Sequence, residues 1–206
     1  MDYSQVASLQ TLETVAAALE QNGFKVEIAQ NAAEAKDKAL ALIPEGAEVL
    51  NATSITLEQI GVAKEITESG RYKAIKNQLA KMDRKTQHRE MQRLGSAPEY
   101  EIGSAHAVTQ DGRLLIASNT GSQLPGEVFS ADHVIFVVGA QKIVENLQQG
   151  LDRIRDYVTP KESVRARKAY ALPDSYNSFA SKLVIFSREP VAGRTHIILV
   201  KEALGF

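Results

Sequence analysis

The stretch FKVEIAQNAAEAKDKALALIPEGAEVLN, residues 24–51, decides the fold class. Phe24-Lys-Val-Glu-Ile28 alternates apolar and polar residues like a half-buried strand. Residues 32–43 then carry apolar side chains at helical spacing. Pro44-Glu-Gly46 breaks that pattern, and residues 47–51 read as a short buried strand. Upstream, Val6, Leu9, Leu12, Val15, Ala16 and Leu19 form a helical stripe that Asn22-Gly23 closes, at a position where positive φ is tolerated. Helix, strand, helix, strand in this order favours parallel pairing through crossover connections.

Working outward, Thr56-Leu-Glu-Gln59 fits a capping box, with Thr56 as cap and a helix running to about Ile66. Residues 71–94 are polar and basic. They read as two helices broken near Met82-Asp83, the second lying across a pocket mouth. Gly95-Ser-Ala-Pro98 reads as a linker. Residues 102–109 and 114–117 predict strands around the turn signal Gln110-Asp-Gly112, and a short helix is expected near Leu124. His133-Val-Ile-Phe-Val-Val138 is the clearest buried strand. A helix with Ile143, Leu147, Leu151, Ile154 and Val158 on one stripe follows, Thr159-Pro160 ends it, and residues 163–172 suggest another. Residues 182–186 and 196–200 lie close enough in sequence to pair antiparallel, which makes the sheet partly mixed. The expectation is a single α/β domain over residues 1–206.

Composition narrows the function classes. A formal net charge of -1 gives no bulk attraction to nucleic acid or to an anionic membrane. The basic runs at 81–93 and 153–168 are interleaved with Asp, Glu or Gln and read as solvated helix faces. With no cysteine, disulfides, cysteine-ligated metals and cysteine nucleophiles are excluded. The first residues lack the basic and apolar run of a secretory signal, and no apolar stretch reaches the roughly 20 residues of a membrane span, so a cytoplasmic location is expected.

Two segments supply candidate chemistry. A strand ending near Leu50 delivers Asn51, Ala52, Thr53 and Ser54 to its carboxyl edge, just before a helix start, where hydroxyls and free N–H groups suit a carboxylate or phosphate. The competing reading is plain helix capping. The loop lacks the glycines and Gly-Lys-Ser/Thr ending of a nucleotide P-loop. The second segment places Ser104 and His106 on one face of a strand, with Thr109 and Asp111 on the other. Asn119, Thr120, Gly121, Ser122 and Gln123 add polar groups. Asp111-Gly112 reads equally as a turn, and His106 equally as a strand histidine bonded to backbone. His88, His133 and His196 match no metal-ligand spacing. Glu127 is either a catalytic carboxylate or a favourable charge at a helix start.

These segments resemble the LUD domain family, whose members include lactate utilization protein C. Thr53-Ser-Ile-Thr-Leu-Glu-Gln-Ile-Gly61 looks like the family's loop and helix, and Ala107-Val-Thr-Gln-Asp-Gly-Arg-Leu114 its strand and turn. His133-Val-Ile-Phe-Val-Val-Gly-Ala-Gln-Lys-Ile-Val144 is similar to a further signature, and the ending Ile198-Leu-Val-Lys-Glu-Ala-Leu-Gly-Phe206 to the family's closing strand. The resemblance implies a three-layer α/β/α architecture like that of the NagB, ribose-5-phosphate isomerase and CoA-transferase group. It implies a role in lactate or related organic-acid utilization beside iron–sulfur oxidase partner proteins. Three departures stand out: Ala52-Thr53 where glycines are usual, Ser122-Gln123 where an arginine is usual, and no cysteine cluster before the last strands.

The leading expectation is therefore a small anionic metabolite held by Asn51, Thr53, Ser54, Thr56 and residues 119–123. Asp111, His106 or Glu127 would stand nearest any chemistry. No metal and no cofactor is expected, and self-association is left open. Two alternatives remain: an isomerase or acyl-CoA or sugar-phosphate transferase of the same fold, and a non-catalytic scaffold of an oxidase complex.

Overall fold

The computed structural model describes residues 2–206. Six strands form a wholly parallel sheet: β1 (Lys25–Ala29), β2 (Glu48–Asn51), β3 (Lys73–Ala74), β4 (Tyr100–Gly103), β7 (His133–Gly139) and β10 (Thr195–Val200), in the order β1-β10-β7-β4-β2-β3. A second sheet, β8-β5-β6-β9, contains β5 (Ala107–Thr109), β6 (Leu114–Ser118), β8 (Ile143–Val144) and β9 (Lys182–Phe186). Here β5 pairs antiparallel with β6 and parallel with β8, so the mixed pairing lies in this second sheet.

Period-two alternation in β7 places the large sheet between two apolar layers. Ile135 and Val137 face α2 (Ala32–Ala41), α3 (Ile55–Gln59) and α4 (Val62–Glu68), where Ala35, Ala39, Leu57 and Ile66 are buried. Val134, Phe136 and Val138 face α1 (Leu9–Gln21) and the second sheet, meeting Leu12, Val15, Leu19, Val108 and Ile116. The far side of the second sheet packs Ala107, Leu115 and Val144 against Ile154, which follows α7 (Leu147–Arg153). The α/β class with helices on both sides of a mostly parallel sheet is as the sequence indicates.

Several local expectations are corrected. Residues 102–109 are not one strand: β4 and β5 belong to different sheets, and Ser104, Ala105 and His106 form the crossing between them. Likewise β9 and β10 do not pair, because β9 joins β6 antiparallel while β10 lies between β1 and β7. Ser54, not Thr56, caps α3, accepting from the Leu57 N–H at 3.4 Å, and Gly61 at φ 77° separates α3 from α4. Gly95-Ser96 ends α6 (His88–Ser96) instead of forming a linker. Ile143 and Val144 form β8, so the helix they were expected to start begins at Leu147. Thr159-Pro160 does not stop the chain's helical course. Pro160 falls in the first turn of α8 (Thr159–Tyr170), where a missing N–H is tolerated.

Two chain crossings from the first sheet to the second define the site. Gly103 pairs with Phe136 in the large sheet, and Val108 pairs with Ile143 in the small one. Five residue steps separate the first of each pair and seven the second. The longer path takes up its excess in a 3-10 turn over Ala140–Lys142, which buries Lys142 beside the shorter crossing.

Candidate functional site

A cavity of about 1060 Å³ opens at the carboxyl ends of β2, β4 and β7, where open α/β sheets place ligands. Its inner wall is made by the end of β2 and the start of α3, by the Ser104–His106 crossing, and by Lys142. Ile116, Ala117 and Ser118 of β6 and the loop after it line a second side. Residues of α6, together with Lys76 and Leu79 of α5 (Ile75–Leu79), line a further side.

The sequence-level candidates divide clearly. Asn51, Thr53, Ser54, Thr56, His106, Asn119, Thr120, Gly121, Ser122, Gln123 and Glu127 all line this cavity. Asp111 does not. It bonds Thr109 Oγ1 and pairs with Arg113 at 2.7 Å, while Gly112 takes φ 80°, so the segment is a turn and Asp111 is no site residue here. Much of the 118–123 loop's polarity holds its own shape: Gly121 N–H donates to Ser118 Oγ at 2.8 Å, and Ser118 Oγ bonds Gln123 Oε1 at 3.0 Å.

Lys142 is the residue that sequence reasoning missed. It is 2% exposed, and its Nζ lies 2.9 Å from Thr56 Oγ1 and 3.1 Å from Ser104 Oγ. Thr56 Oγ1 spends its own proton on the Leu204 carbonyl at 3.1 Å, so it accepts from Lys142. Burial, then the nearby Arg153 charge, pulls the ammonium pKa down to about 7. The available signal was a lysine flanked on both sides by apolar strand residues, Val137-Val138 before it and Ile143-Val144 after it.

His106 is a fixed neutral donor. Its Nδ1 accepts from the Ala117 N–H at 3.1 Å, which leaves the ring proton on Nε2. Burial, then Lys142 and Arg153, holds its pKa down near 3. Arg153 was expected on a solvated face. Instead it is fully buried, donates to the His106 carbonyl, and lies 5.1 Å from the Tyr157 ring centroid. Its Nε and Nη2 have no partner among the described residues. Arg165, in the same basic run, lines the cavity with Glu162 beside it at 2.6 Å.

Glu127 lies in a π turn over Gly126–Ser130, 1% exposed, with Oε2 unpartnered; burial raises its pKa to about 8. Glu101 is fully buried in β4 with neither oxygen bonded among the described residues; burial and then Glu127 raise its pKa to about 9. Two neutral carboxyl groups therefore stand together, one of them in the cavity wall. Asn51 also presents a buried, unpartnered Oδ1 there. The donors and acceptors on offer are amine, hydroxyl, amide, imidazole N–H and neutral carboxylic acid.

The charge of the wall is lopsided. Lys76, Arg84, Arg89, Arg93, Lys142 and Arg165 line it against the carboxyls of Glu127 and Glu162. Glu127 is held neutral, Glu162 pairs with Arg165 and Lys142 titrates near 7, which leaves Lys76, Arg84, Arg89 and Arg93 as the cations without a carboxylate partner in the wall. Burial lowers the Lys76 pKa, with Glu58 opposing the shift and Arg165 adding a smaller downward pull.

Comparison with known proteins agrees with this architecture. A family model described as the LUD domain matches residues 12–200. Among solved structures, the chain is similar to a DUF162 family protein from Deinococcus radiodurans, at TM-score 0.56 and 13% identity, over 95% of this chain and 99% of that one. No curated protein matches. The chain belongs to the LUD domain family, a family related to lactate utilization.

Proposed function

We propose that this protein binds a small anionic metabolite of lactate or related organic-acid metabolism in the cavity at the carboxyl ends of β2, β4 and β7. The observation that carries the reading is the excess of cationic side chains over free carboxylates in one cavity wall. An anion entering such a site gains charge-assisted hydrogen bonds and relieves repulsion among the cations. The Thr53 hydroxyl, which accepts from Lys76 Nζ at 3.5 Å, keeps its own proton to donate to the anion.

Titration calorimetry with lactate, pyruvate and longer carboxylates, at low and high salt, tests it. Binding that weakens with salt and falls about 10–100-fold in Lys76→Met is expected, from the 1.5–3 kcal/mol worth of a charged hydrogen bond. Unchanged affinity in a folded Lys76→Met variant refutes the electrostatic basis. The volume favours a second reading, because about 1060 Å³ stands at the top of the range for ligand sites and exceeds the needs of a three-carbon acid. In that reading the ligand is a sugar phosphate or acyl-CoA, and the protein an isomerase or transferase; the same titrations with those ligands decide. If neither class binds, a scaffold role beside iron–sulfur oxidase proteins is what remains, and co-purification tests it.

A further inference from the structure

We infer that Lys142 is a nucleophile that condenses with a ketone- or aldehyde-bearing carboxylate, a 2-oxo acid, to form an imine. The inference rests on the anion-binding reading above, which supplies the carboxylate; the imine adds what happens to the neighbouring carbonyl.

Three features carry it. First, Lys142 lines the cavity while its stem is buried, held by the 3-10 turn that absorbs the longer crossing. Second, among the described residues its polar partners are two hydroxyls and no carboxylate. A structural lysine buried at this depth needs a counter-ion, whereas an amine that works unprotonated does not. Thr56 accepts one of its N–H groups, and the remaining valences are free for Ser104 and for a ligand. Third, the other groups an imine requires line the same cavity. His106 offers a neutral Nε2–H suited to a carbonyl or carboxylate oxygen. Glu127 lines the same cavity with a carboxyl group that burial keeps neutral. The Glu127 Oε1 lies 3.0 Å from where a Cβ on Gly103 would stand, one residue before the Ser104 that touches Lys142.

The step balances without an oxidant or reductant. The Lys142 lone pair forms the N–C bond while the carbonyl oxygen takes a proton from Glu127, giving a carbinolamine. Nitrogen then returns a proton to Glu127 through solvent water in the open cavity that both residues line. The hydroxyl group, protonated again, leaves as water while the nitrogen lone pair closes the C=N bond.

The titratable and charged groups around the amine are His106 from the sheet crossing and Arg153 from α7; the hydroxyls of Thr56 and Ser104 and the backbone at Gly205 complete the surroundings. With the amine titrating near 7 and an ordinary lysine near 10.5, the reactive fraction at neutral pH is about a thousandfold larger at Lys142.

The experiment is reductive trapping. The whole protein is incubated with pyruvate, glyoxylate or 2-oxoglutarate and sodium cyanoborohydride near pH 7, then digested, and adducts are located by mass spectrometry. The expected result is an adduct concentrated on Lys142, suppressed by excess lactate, with a trapping rate that rises through pH 7. A label spread over exposed lysines with no excess at Lys142 overturns the inference. The wild-type map gives this answer even if Lys142→Met fails to fold. Oxo-acid binding by calorimetry without an adduct overturns the imine and leaves the anion reading standing. Absence of binding overturns both.

Discussion

Replacing Glu101 by glutamine isolates the energetic cost of burying a carboxyl group beneath the site. In the folded protein this group keeps its proton to about pH 9, whereas an exposed glutamate releases it near 4.5. Between those values the native state holds a proton that the unfolded chain has lost. The contribution to stability is therefore complete below pH 4.5 and is lost as pH rises towards 9. Each pH unit inside that window costs at most about 1.4 kcal/mol for one carboxyl group. The wild-type profile alone would mislead, because other groups oppose it. His106, held near 3, makes stability rise with pH up to about 6.5, and Lys142, held near 7, does so from there to about 10.5. The difference between Glu101→Gln and wild type removes both. Glutamine preserves the shape and leaves the same unbonded buried positions, which shifts the whole curve without tilting it. Urea unfolding at several pH values between about 5 and 8 is the assay. The advantage of Glu101→Gln over wild type should grow with pH, by on the order of 3 kcal/mol between pH 5.5 and 7.5. A difference that stays flat over that range would falsify the claim that Glu101 is buried as the neutral acid.

Other perturbations probe the surrounding geometry. A Cβ on Gly126 would stand 1.7 Å from Glu101 Oε2 and 2.9 Å from its carboxyl carbon, so Gly126→Ala should cost about 1–3 kcal/mol by thermal unfolding. That cost should shrink in the Glu101→Ala background; strict additivity would show that the two residues do not meet. Gly205 has φ 65°, and its Cβ would fall 2.5 Å from Thr56 Oγ1 and 3.4 Å from Lys142 Nζ. Gly205→Ala should therefore lower the melting temperature and oxo-acid affinity together, with about 1–3 kcal/mol from backbone strain; a change in one alone would uncouple the tail from the site. Arg194 pairs with Glu189 at 3.1 Å and bonds the Gly126 carbonyl at 2.7 Å, both side chains being buried. Arg194→Met should cost about 3–5 kcal/mol in urea unfolding, because it strands the Glu189 charge, and a loss under 1 kcal/mol would refute that account.

The sequence made some of this legible for definite reasons. β7 is apolar on both faces because both are covered, so a run such as residues 133–138 declares a central strand. The loop after β2 was visible because a strand end next to a helix start concentrates small hydroxyl residues. What stayed hidden depends on pairing across distance. That residues 102–109 change sheets at Ser104 follows from the partners of β4 and β5, which local alternation does not name. The burial of Lys142 follows from unequal spacing along two neighbouring strands. Arg153 looked like one charge in a mixed helical run, and only the packing of α7 against β5 and the Tyr3 and Tyr157 rings puts it inside. Glu101 did carry a local signal, an acid within Tyr-Glu-Ile-Gly, a segment otherwise suited to the core.

The paired crossings between the sheets also limit how this architecture can be divided. Two adjacent strand paths each serve both sheets, and the polar groups of the cavity floor ride on the segments where they pass from one to the other. The chain passes between the sheets four times, at Ser104–His106, 119–132, Ala140–Lys142 and 187–194, so a cut that frees the small sheet must sever all four, the two site-bearing crossings among them. Neither half would carry away a working remnant of the site, so complementation by separately expressed sheets, or recombination with a breakpoint between them, destroys the pocket along with the fold.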